Sequence, residues 1–443
     1  MQGRSSTKVQ TPHIKRHLTA IRRSNLSRPV QLLLETRVLT REHSFFDFGC
    51  GFGDDIRILT DNGYHSSGWD PHFAANEQKT QADVVNLGFV LNVIEDPTER
   101  ATVLADAFKL CRHVLCVGVM YAVDANRPEG KSYRDGIVTQ KNTFQRLYNQ
   151  QELTEFLQAH AGKYVASVAP GVAFVFKEQE QFHRFRYGRV HRRPVPIQIP
   201  RFNGAGTADE MQRLATDFPT EWEDYVGFLA DRGRPPSRIE STLMEKAATR
   251  RINTQALFSW AVSQVGPSQL ESAAESAKND LLVFLAMSLF ENRTKMSDLD
   301  STAQADVKHF YGSFTNAMTY ARESLLSVGS IDLIRTQAEQ SPVGTIEDEG
   351  LFLKPSDVPQ LPLHVRIYVM LGSLFFGDVE AADLVKVHLG SNKLTLYVQQ
   401  QSESPAGTAK SVYDAFKIDF MRRRVVTYEF LSMNLSLFSR ITR

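Results

Sequence analysis

The chain is poor in cysteine, with only Cys50, Cys111 and Cys116 among 443 residues. Three thiols exclude a disulfide framework and any four-cysteine zinc site, and reduced thiols fit a cytoplasmic location. Long apolar runs are also missing. The longest stretch, Leu281 to Phe290, is too short for a membrane helix, which needs roughly 20 apolar residues. The N-terminus carries charges but no apolar core segment, so neither a signal peptide nor a membrane partner is expected. No charge sign dominates. Lys and Arg number 51 against 50 Asp and Glu, a formal net charge of +1. That excludes a uniformly basic coat and leaves only local patches to meet a nucleic acid. The 12 histidines show no metal-ligand spacing such as H-E-x-x-H, so no metal is expected. No internal repeat or low-complexity tract is present.

What is present suffices for a large core: 42% hydrophobic and 23% charged residues, over a length that implies two or three domains. Charge is concentrated in two places. Residues 1–41 hold nine basic side chains, Arg22, Arg23 and Arg28 among them, against Glu35 alone. This basic arm and helix over 1–43 suggests an anionic partner, or else a solvated terminus. Residues 177–201 hold seven basic residues, including Arg184, Arg186, Arg192 and Arg193, against Glu178 and Glu180. Phe182, Phe185 and Tyr187 are interleaved, an arrangement suited to base stacking on a single-stranded nucleic acid. His183 and His191 lie in the same stretch and read as solvated.

From Ser44 the pattern is β/α. Strands are expected at 44–48, 64–69, 82–90 and 113–120, with helices at 54–61, 97–111 and 151–160. An antiparallel hairpin, 164–168 with 172–176, closes the series. Alternating strands and helices imply a doubly wound sheet. Asp96-Pro97-Thr98-Glu99 reads as a helix start, with Asp96 as cap, Pro97 in the first turn and Glu99 completing a capping box. Pro194, Pro196, Pro200 and the glycines at 204 and 206 mark a linker over 194–206. The domain thus runs over 44–193, and residues 1–193 are expected to fold alone. A mostly helical region follows over 207–343, then an α+β domain over 344–443. That last domain has a buried helix at 365–376 and strands near 384–389, 393–398, 415–420 and 425–430.

Chemistry concentrates after the first strand. Asp47-Phe48 leads into Gly49-Cys50-Gly51-Phe52-Gly53, a strand-to-helix turn in which glycines let the backbone approach a ligand closely. The second strand ends in Gly68-Trp69-Asp70, where an acidic side chain can meet ribose hydroxyls. This spacing suits a dinucleotide or S-adenosylmethionine. The G-x-G-x-G form, in place of G-x-G-x-x-G, favours the latter. The later strand ends in Asn86-Leu87-Gly88-Phe89-Val90-Leu91-Asn92-Val93-Ile94-Glu95-Asp96, which resembles the corresponding segment of class I methyltransferases. So does the closing hairpin.

The match narrows further. Ala20 to Arg23, Leu26 to Val30, Asp47 to Gly51, Gly68 to Pro71 and Val85 to Gly88, together with Asp135-Gly136, Thr143 to Gln145 and Phe310 to Ser313, resemble the methyltransferase family associated with DNA phosphorothioation. The resemblance implies a Rossmann-like class I methyltransferase domain and S-adenosylmethionine as cofactor. It also implies a role beside bacterial DNA-modification or defence systems, with DNA or proteins of those systems as partners. It supplies no substrate. Carried over by position, Gly49, Gly51 and Gly53 would line the methionine end of the cofactor. Asp70 would accept from the ribose, Asp47 would sit near the amino group, and Asn86 and Leu87 would lie beneath the sulfonium and adenine. Only about a dozen residues separate Asp70 from the next strand, so the usual helix, third strand and acidic adenine contact have no counterpart.

Acceptor chemistry is weakly marked. The (D/N)-P-P-(Y/F/W) motif of amino methyltransferases is absent, since Asn86-Leu87-Gly88-Phe89 has neither proline. No cysteine follows a proline, as cytosine-C5 chemistry requires, and Cys50 reads as packing. Asn92 and Glu95 face the expected mouth, and Tyr121, Tyr133 and Asp135 follow the fifth strand. These are the candidates for positioning or proton removal. Besides an active methyltransferase, a non-catalytic nucleic-acid- or partner-binding module on the same fold is open. A nicotinamide-dependent oxidoreductase is disfavoured by the loop spacing.

Overall fold

A computed structural model describes residues 14–122, 128–190, 208–290, 294–399 and 412–431. The chain forms two compact units. One comprises 1–182, 372–388 and 393–443, and the other 183–371 and 389–392.

The first unit is built on a six-stranded sheet. Its elements are α1 (Arg28–Glu35), β1 (Ser44–Phe48), α2 (Asp54–Asp61), β2 (His65–Trp69), β3 (Ala82–Gly88), α3 (Pro97–Leu110) and β4 (Cys111–Gly118). A small three-stranded sheet follows, made of β5 (Gly130–Tyr133), β6 (Gly136–Thr139) and β7 (Phe144–Gln145). Next come α4 (Gln150–His160), β8 (Val165–Ala169) and β9 (Val172–Phe176). The strand order is β2-β1-β3-β4-β9-β8. The first four are mutually parallel, and β9 runs antiparallel to β4 and to β8. The six strands expected from the sequence are the six of this sheet. No strand intervenes between β2 and β3, which leaves β2 as an edge.

The order reverses between β1 and β3. By the general rule for open α/β sheets, the crevice outside the carboxyl ends of those two strands is the ligand position. The period-2 alternation of the strands sorts their side chains into two faces. Phe46, Phe48, Val85, Leu87, Leu115 and Val117 join one buried cluster with Leu153 and Leu157 of α4. Phe45, Asp47, Val84 and Asn86 take the opposite face. Helix α3 starts as its sequence dictates. Asp96 accepts from the backbone N–H of Thr98 and Glu99 at 2.8 and 3.1 Å, and Pro97 occupies the first turn. The expected capping box is not completed, because the Glu99 carboxylate is turned to Arg16, at 2.5 and 2.7 Å.

Helix α5 (Gln179–Val190) carries the chain onward into the second unit. That unit holds α6 (Ala208–Asp217), α7 (Pro219–Arg232), α8 (Thr242–Thr249), α9 (Thr254–Val265), α10 (Pro267–Ser288), α11 (Ser301–Tyr311), α12 (Phe314–Ser327) and α13 (Ile331–Glu339). The hairpin β10 (Thr345–Glu347) with β11 (Gly350–Leu353) and the helix α14 (Leu363–Leu371) follow. Helix α10 is its axis, buried continuously from Asp280 to Ser288. Two ionic knots lie inside. Asp306, fully buried, accepts from Tyr187 Oη at 2.5 Å, Arg232 at 2.9 Å and Arg234 Nε at 2.5 Å. Arg366 pairs with Asp280 at 2.6 Å and donates to the carbonyl of Val190.

The chain then returns to the first unit. The helix α15 (Ser373–Phe376) and the meander β12 (Leu384–His388), β13 (Lys393–Gln399), β14 (Val412–Asp419) and β15 (Arg424–Leu431) belong to it. The helix expected over 365–376 is broken at Gly372. The grouping departs from the boundaries expected at 193 and 344, for a packing reason. Phe376 stacks edge-on against Phe416 at 4.9 Å, and Tyr121 meets the same ring at 5.7 Å. Tyr121 Oη donates to the Phe375 carbonyl at 3.2 Å, and Gly377 lies so close to the Ala169 backbone that a Cβ there would sit 2.7 Å from it. The late strands thus share the core of the first unit. The expected linker, 194–206, lies outside the described residues.

Candidate functional site

Strand β1 ends at the switch point and turns through Gly49, Gly51 and Gly53, with φ of 87°, 54° and 74°. These left-handed angles are the ones glycine adopts without penalty. A Cβ on Gly49 would also strike Val90 at 2.5 Å. Asp70, at the end of β2, holds the loop in place. Its Oδ2 accepts from the N–H of Gly51 at 3.0 Å, and its Oδ1 from those of His72 and Phe73 at 2.8 and 2.9 Å. Asp70 is therefore a loop anchor as well as a candidate ribose acceptor. Its Oδ2 keeps one acceptor position, whereas Oδ1 already accepts two bonds.

Asp47 and Asn86 are brought together as adjacent residues of β1 and β3 in register. Both are buried, at 4% and 2% exposure, and Asn86 Nδ2 donates to Asp47 Oδ1 at 2.8 Å. Burial, then the charge of Asp55, pushes the Asp47 carboxyl up to about 7, against the opposing hydrogen bond from Asn86. Asn86 Oδ1 is buried with no hydrogen-bond partner. Leu87 is separated from this pair. It projects to the opposite face and is fully buried in the core beside Phe48 and Val117. A groove of about 620 Å³ opens over the glycine loop, lined by Gly51, Gly53, Phe52, Phe73, Arg22 and Ile56 among others.

The residues preceding α1 cross this edge of the sheet as a strap. Lys15 N–H donates to the Asn142 carbonyl at 2.8 Å, and the rings of His17 and His72 stack at 4.4 Å. Arg16 is clamped by Glu95 at 2.9 Å and by Glu99. Arg22 lies over the Phe52 ring at 4.1 Å and pairs with Asp54 at 3.6 Å. The backbone N–H groups of Arg23 and Ser27 donate to Asp54 and Asp55 at 2.8 and 2.7 Å. Arg28 pairs with Glu35 at 2.9 Å. The strap and the first-turn acids Asp54 and Asp55 are the functional features that sequence reasoning missed. The Asp-Asp pair directly after the glycine loop was the available signal.

The acceptor-side candidates are dispersed. Asn92 is buried and donates to Gln145 at 3.0 Å. Glu95 is held by Arg16. Asp135 is tied to Arg100 at 2.5 Å and to Arg146 at 2.8 Å. The Tyr121 hydroxyl is buried against the Phe375 carbonyl, and burial raises it to about 12. Tyr133 ends β5. Burial raises Cys50 to about 12, which suits packing rather than nucleophilic attack. Of the second basic stretch, Tyr187 is buried on Asp306 and is not a stacking platform. His183 is likewise buried, not solvated. Arg186 lies 5.8 Å over the Phe284 ring, and Arg184 is exposed on α5. Arg192, Arg193 and His191 lie outside the described residues. Among the described residues, no cluster of His, Cys, Asp and Glu is arranged to hold a metal, and no helix is long and apolar enough to cross a membrane.

No family model and no curated protein matches the chain. Solved structures do resemble it. A 1,6-didemethyltoxoflavin-N1-methyltransferase of Burkholderia thailandensis, bound to 1,6-didemethyltoxoflavin and S-adenosylhomocysteine, is 17% identical with a TM-score of 0.25. The match covers 34% of this chain and 76% of that one. A SAM-dependent methyltransferase of Methanosarcina mazei is 14% identical with a TM-score of 0.26, over 32% and 94% of the two chains. A family 2 O-methyltransferase of Planctomyces limnophilus in complex with apigenin is 13% identical with a TM-score of 0.25, over 37% and 65%. The fold of the first unit rests on its own strand order. A sheet with four parallel strands, reversing at β1/β3 and closed by an antiparallel hairpin, is a doubly wound Rossmann-like arrangement.

Proposed function

We propose that the protein is an S-adenosylmethionine-dependent methyltransferase whose cofactor site is the β1/β3 crevice. The observation that carries this is the buried Asp47–Asn86 pair at the switch point, beneath a G-x-G-x-G loop. The residues fit such a ligand. Asp47 is a buried carboxyl that a cationic amino group would compensate, Asn86 Oδ1 is a buried acceptor in need of a donor, and Gly49 leaves no room for a side chain. Asp70 would take a ribose hydroxyl on Oδ2 while pinning Gly51.

When bound, S-adenosylmethionine supplies a methyl group on a sulfonium that is already activated, so the protein's work is alignment and exclusion of water. Asp47, Asn86 and Asp70 orient, and the strap and Phe52 shield the loop. The acceptor proton has no evident base among Glu95, Asp135 and Tyr121. The chemistry therefore suits an acceptor nucleophilic enough to lose its proton after transfer.

That same absence favours a second reading, a non-catalytic module that binds a nucleic acid or partner protein on this fold. The setting in bacterial DNA phosphorothioation, modification or defence, and DNA as a direct partner, rest on the sequence resemblance. Arg22 and Arg28, two of the candidates for nucleic-acid contact, face acids of the same chain. Incubation with methyl-labelled cofactor and pools of DNA, RNA and protein tests both readings. Label in one pool supports the enzyme and names its acceptor class. S-adenosylhomocysteine binding without transfer to any pool supports the module.

A further inference from the structure

Four carboxylates crowd the glycine loop: Asp47, Asp54, Asp55 and Asp70. Together they favour the ammonium of an amino-acid ligand and repel its carboxylate. A site that takes the whole zwitterion needs a cation placed apart from those acids. Arg57 pairs with Asp54 and Asp61, at 3.7 Å each. Arg22 is 70% exposed and already faces Asp54, and Arg16 is clamped by Glu95 and Glu99. Arg23 differs. The residue is partly buried, and its guanidinium lies 5.5 Å over the ring of Phe89. Among the described residues it makes no ion pair or side-chain hydrogen bond. Its charge acts on Asp47, lowering that carboxyl against the stronger effect of burial.

The platform beneath it is itself unusual. Phe89 has φ of +60°, rare for a bulky residue and costly to hold. It is fixed there by its N–H, which donates to the Gly118 carbonyl at 2.7 Å. This bend ends β3 at Gly88, and the ring it presents is the one over which Arg23 rests. Guanidinium is the group suited to this task, because its planar fork meets a carboxylate with two parallel hydrogen bonds.

We infer that Arg23 is the carboxylate-binding residue of the cofactor site, held by Phe89 to receive the α-carboxylate while Asp47 receives the α-ammonium. The inference rests on the S-adenosylmethionine reading and deepens it. The strap is then part of the site and not a nucleic-acid arm. The site selects ligands that carry a free amino-acid end.

Calorimetry on the full chain with two probes tests this. S-adenosylhomocysteine has the amino-acid end, and 5′-methylthioadenosine lacks it. Wild-type protein is expected to prefer S-adenosylhomocysteine. Arg23→Gln should weaken that ligand about 10- to 100-fold, the worth of a charge-assisted bidentate contact, and leave 5′-methylthioadenosine unchanged. Arg23→Lys should restore part of the loss. Equal loss of both probes, or none of either, overturns the assignment and leaves the cofactor reading standing. Failure of the wild-type chain to bind either probe removes both.

Discussion

Asp47→Asn should stabilise the first unit at neutral and alkaline pH while weakening ligand binding. The carboxyl is 4% exposed and titrates at about 7, against an ordinary 3.8. A folded-state value above the unfolded one means that the native state keeps a proton the unfolded chain gives up. Stability is then full below about 4 and falls as pH rises toward 7. Three pKa units correspond to about 4 kcal/mol in all, and the part between pH 5 and 7 to about 3 kcal/mol. The amide carries no charge to desolvate. It keeps an acceptor for Asn86 Nδ2 and adds a donor where Asn86 Oδ1 has no partner. Native-state hydrogen exchange of β1 and β3 amides reads this unit alone. The variant should gain on wild type by about 3 kcal/mol between pH 5 and pH 8. S-adenosylhomocysteine affinity of the wild type should rise about tenfold per pH unit up to 7 and then level, a rise that the variant lacks. A stability gap that does not change with pH, or a variant less stable than wild type at pH 8, would refute the argument.

Asp70→Ala should lower S-adenosylhomocysteine affinity at least 10-fold by calorimetry and speed exchange of the Gly51, His72 and Phe73 amides, which lose their acceptor. Unchanged affinity would displace the ribose contact from Asp70. Asp306→Asn should cost about 1.5–3 kcal/mol of second-unit stability, because Arg232 and Arg234 lose a buried charged acceptor while keeping Asp231 and Glu240 as partners. Exchange of α10 amides measures it, and a change under about 1 kcal/mol would contradict the ionic knot. A fragment ending at residue 193 should be less stable than the intact chain, against the sequence expectation, because it lacks Phe375, Phe376 and Phe416 over Tyr121. Urea midpoints of fragment and full chain decide the matter, and equal midpoints would vindicate the shorter boundary.

The sheet was legible because its signals are local. The run 172–176 is apolar throughout and 82–88 is interrupted only by Asp83 and Asn86, as strands largely buried on both faces require, and Gly49 to Gly53 carry their conformational demand in residue type. Two boundaries slipped for tertiary reasons. The run from Ala82 to Val90 looks continuous, but Phe89 is driven to positive φ and ends the ladder. The run from Val365 to Phe376 looks like one helix, but it is broken at Gly372, where the chain passes from one unit to the other. Alternation also separates what adjacency joins. Asn86 and Leu87 are neighbours in sequence, yet one reaches Asp47 and the other the hydrophobic core.

The strap was illegible because nothing in residues 14–27 names its partners. Arg16 meets acids 79 and 83 residues away, and the N–H groups of Arg23 and Ser27 meet Asp54 and Asp55. Counted along the chain, the arm is an unpaired basic patch. In the fold, its charges answer acids that the glycine loop and α3 place at the same edge of the sheet. Charge imbalance along a sequence therefore does not measure exposed charge. The four acids around the loop would repel one another without the strap, and the strap would be a free cationic arm without them. The near-zero net charge was compatible with either arrangement, and only the contacts of the fold, Arg16 with Glu95 and Glu99 and Arg22 with Asp54, select the paired one.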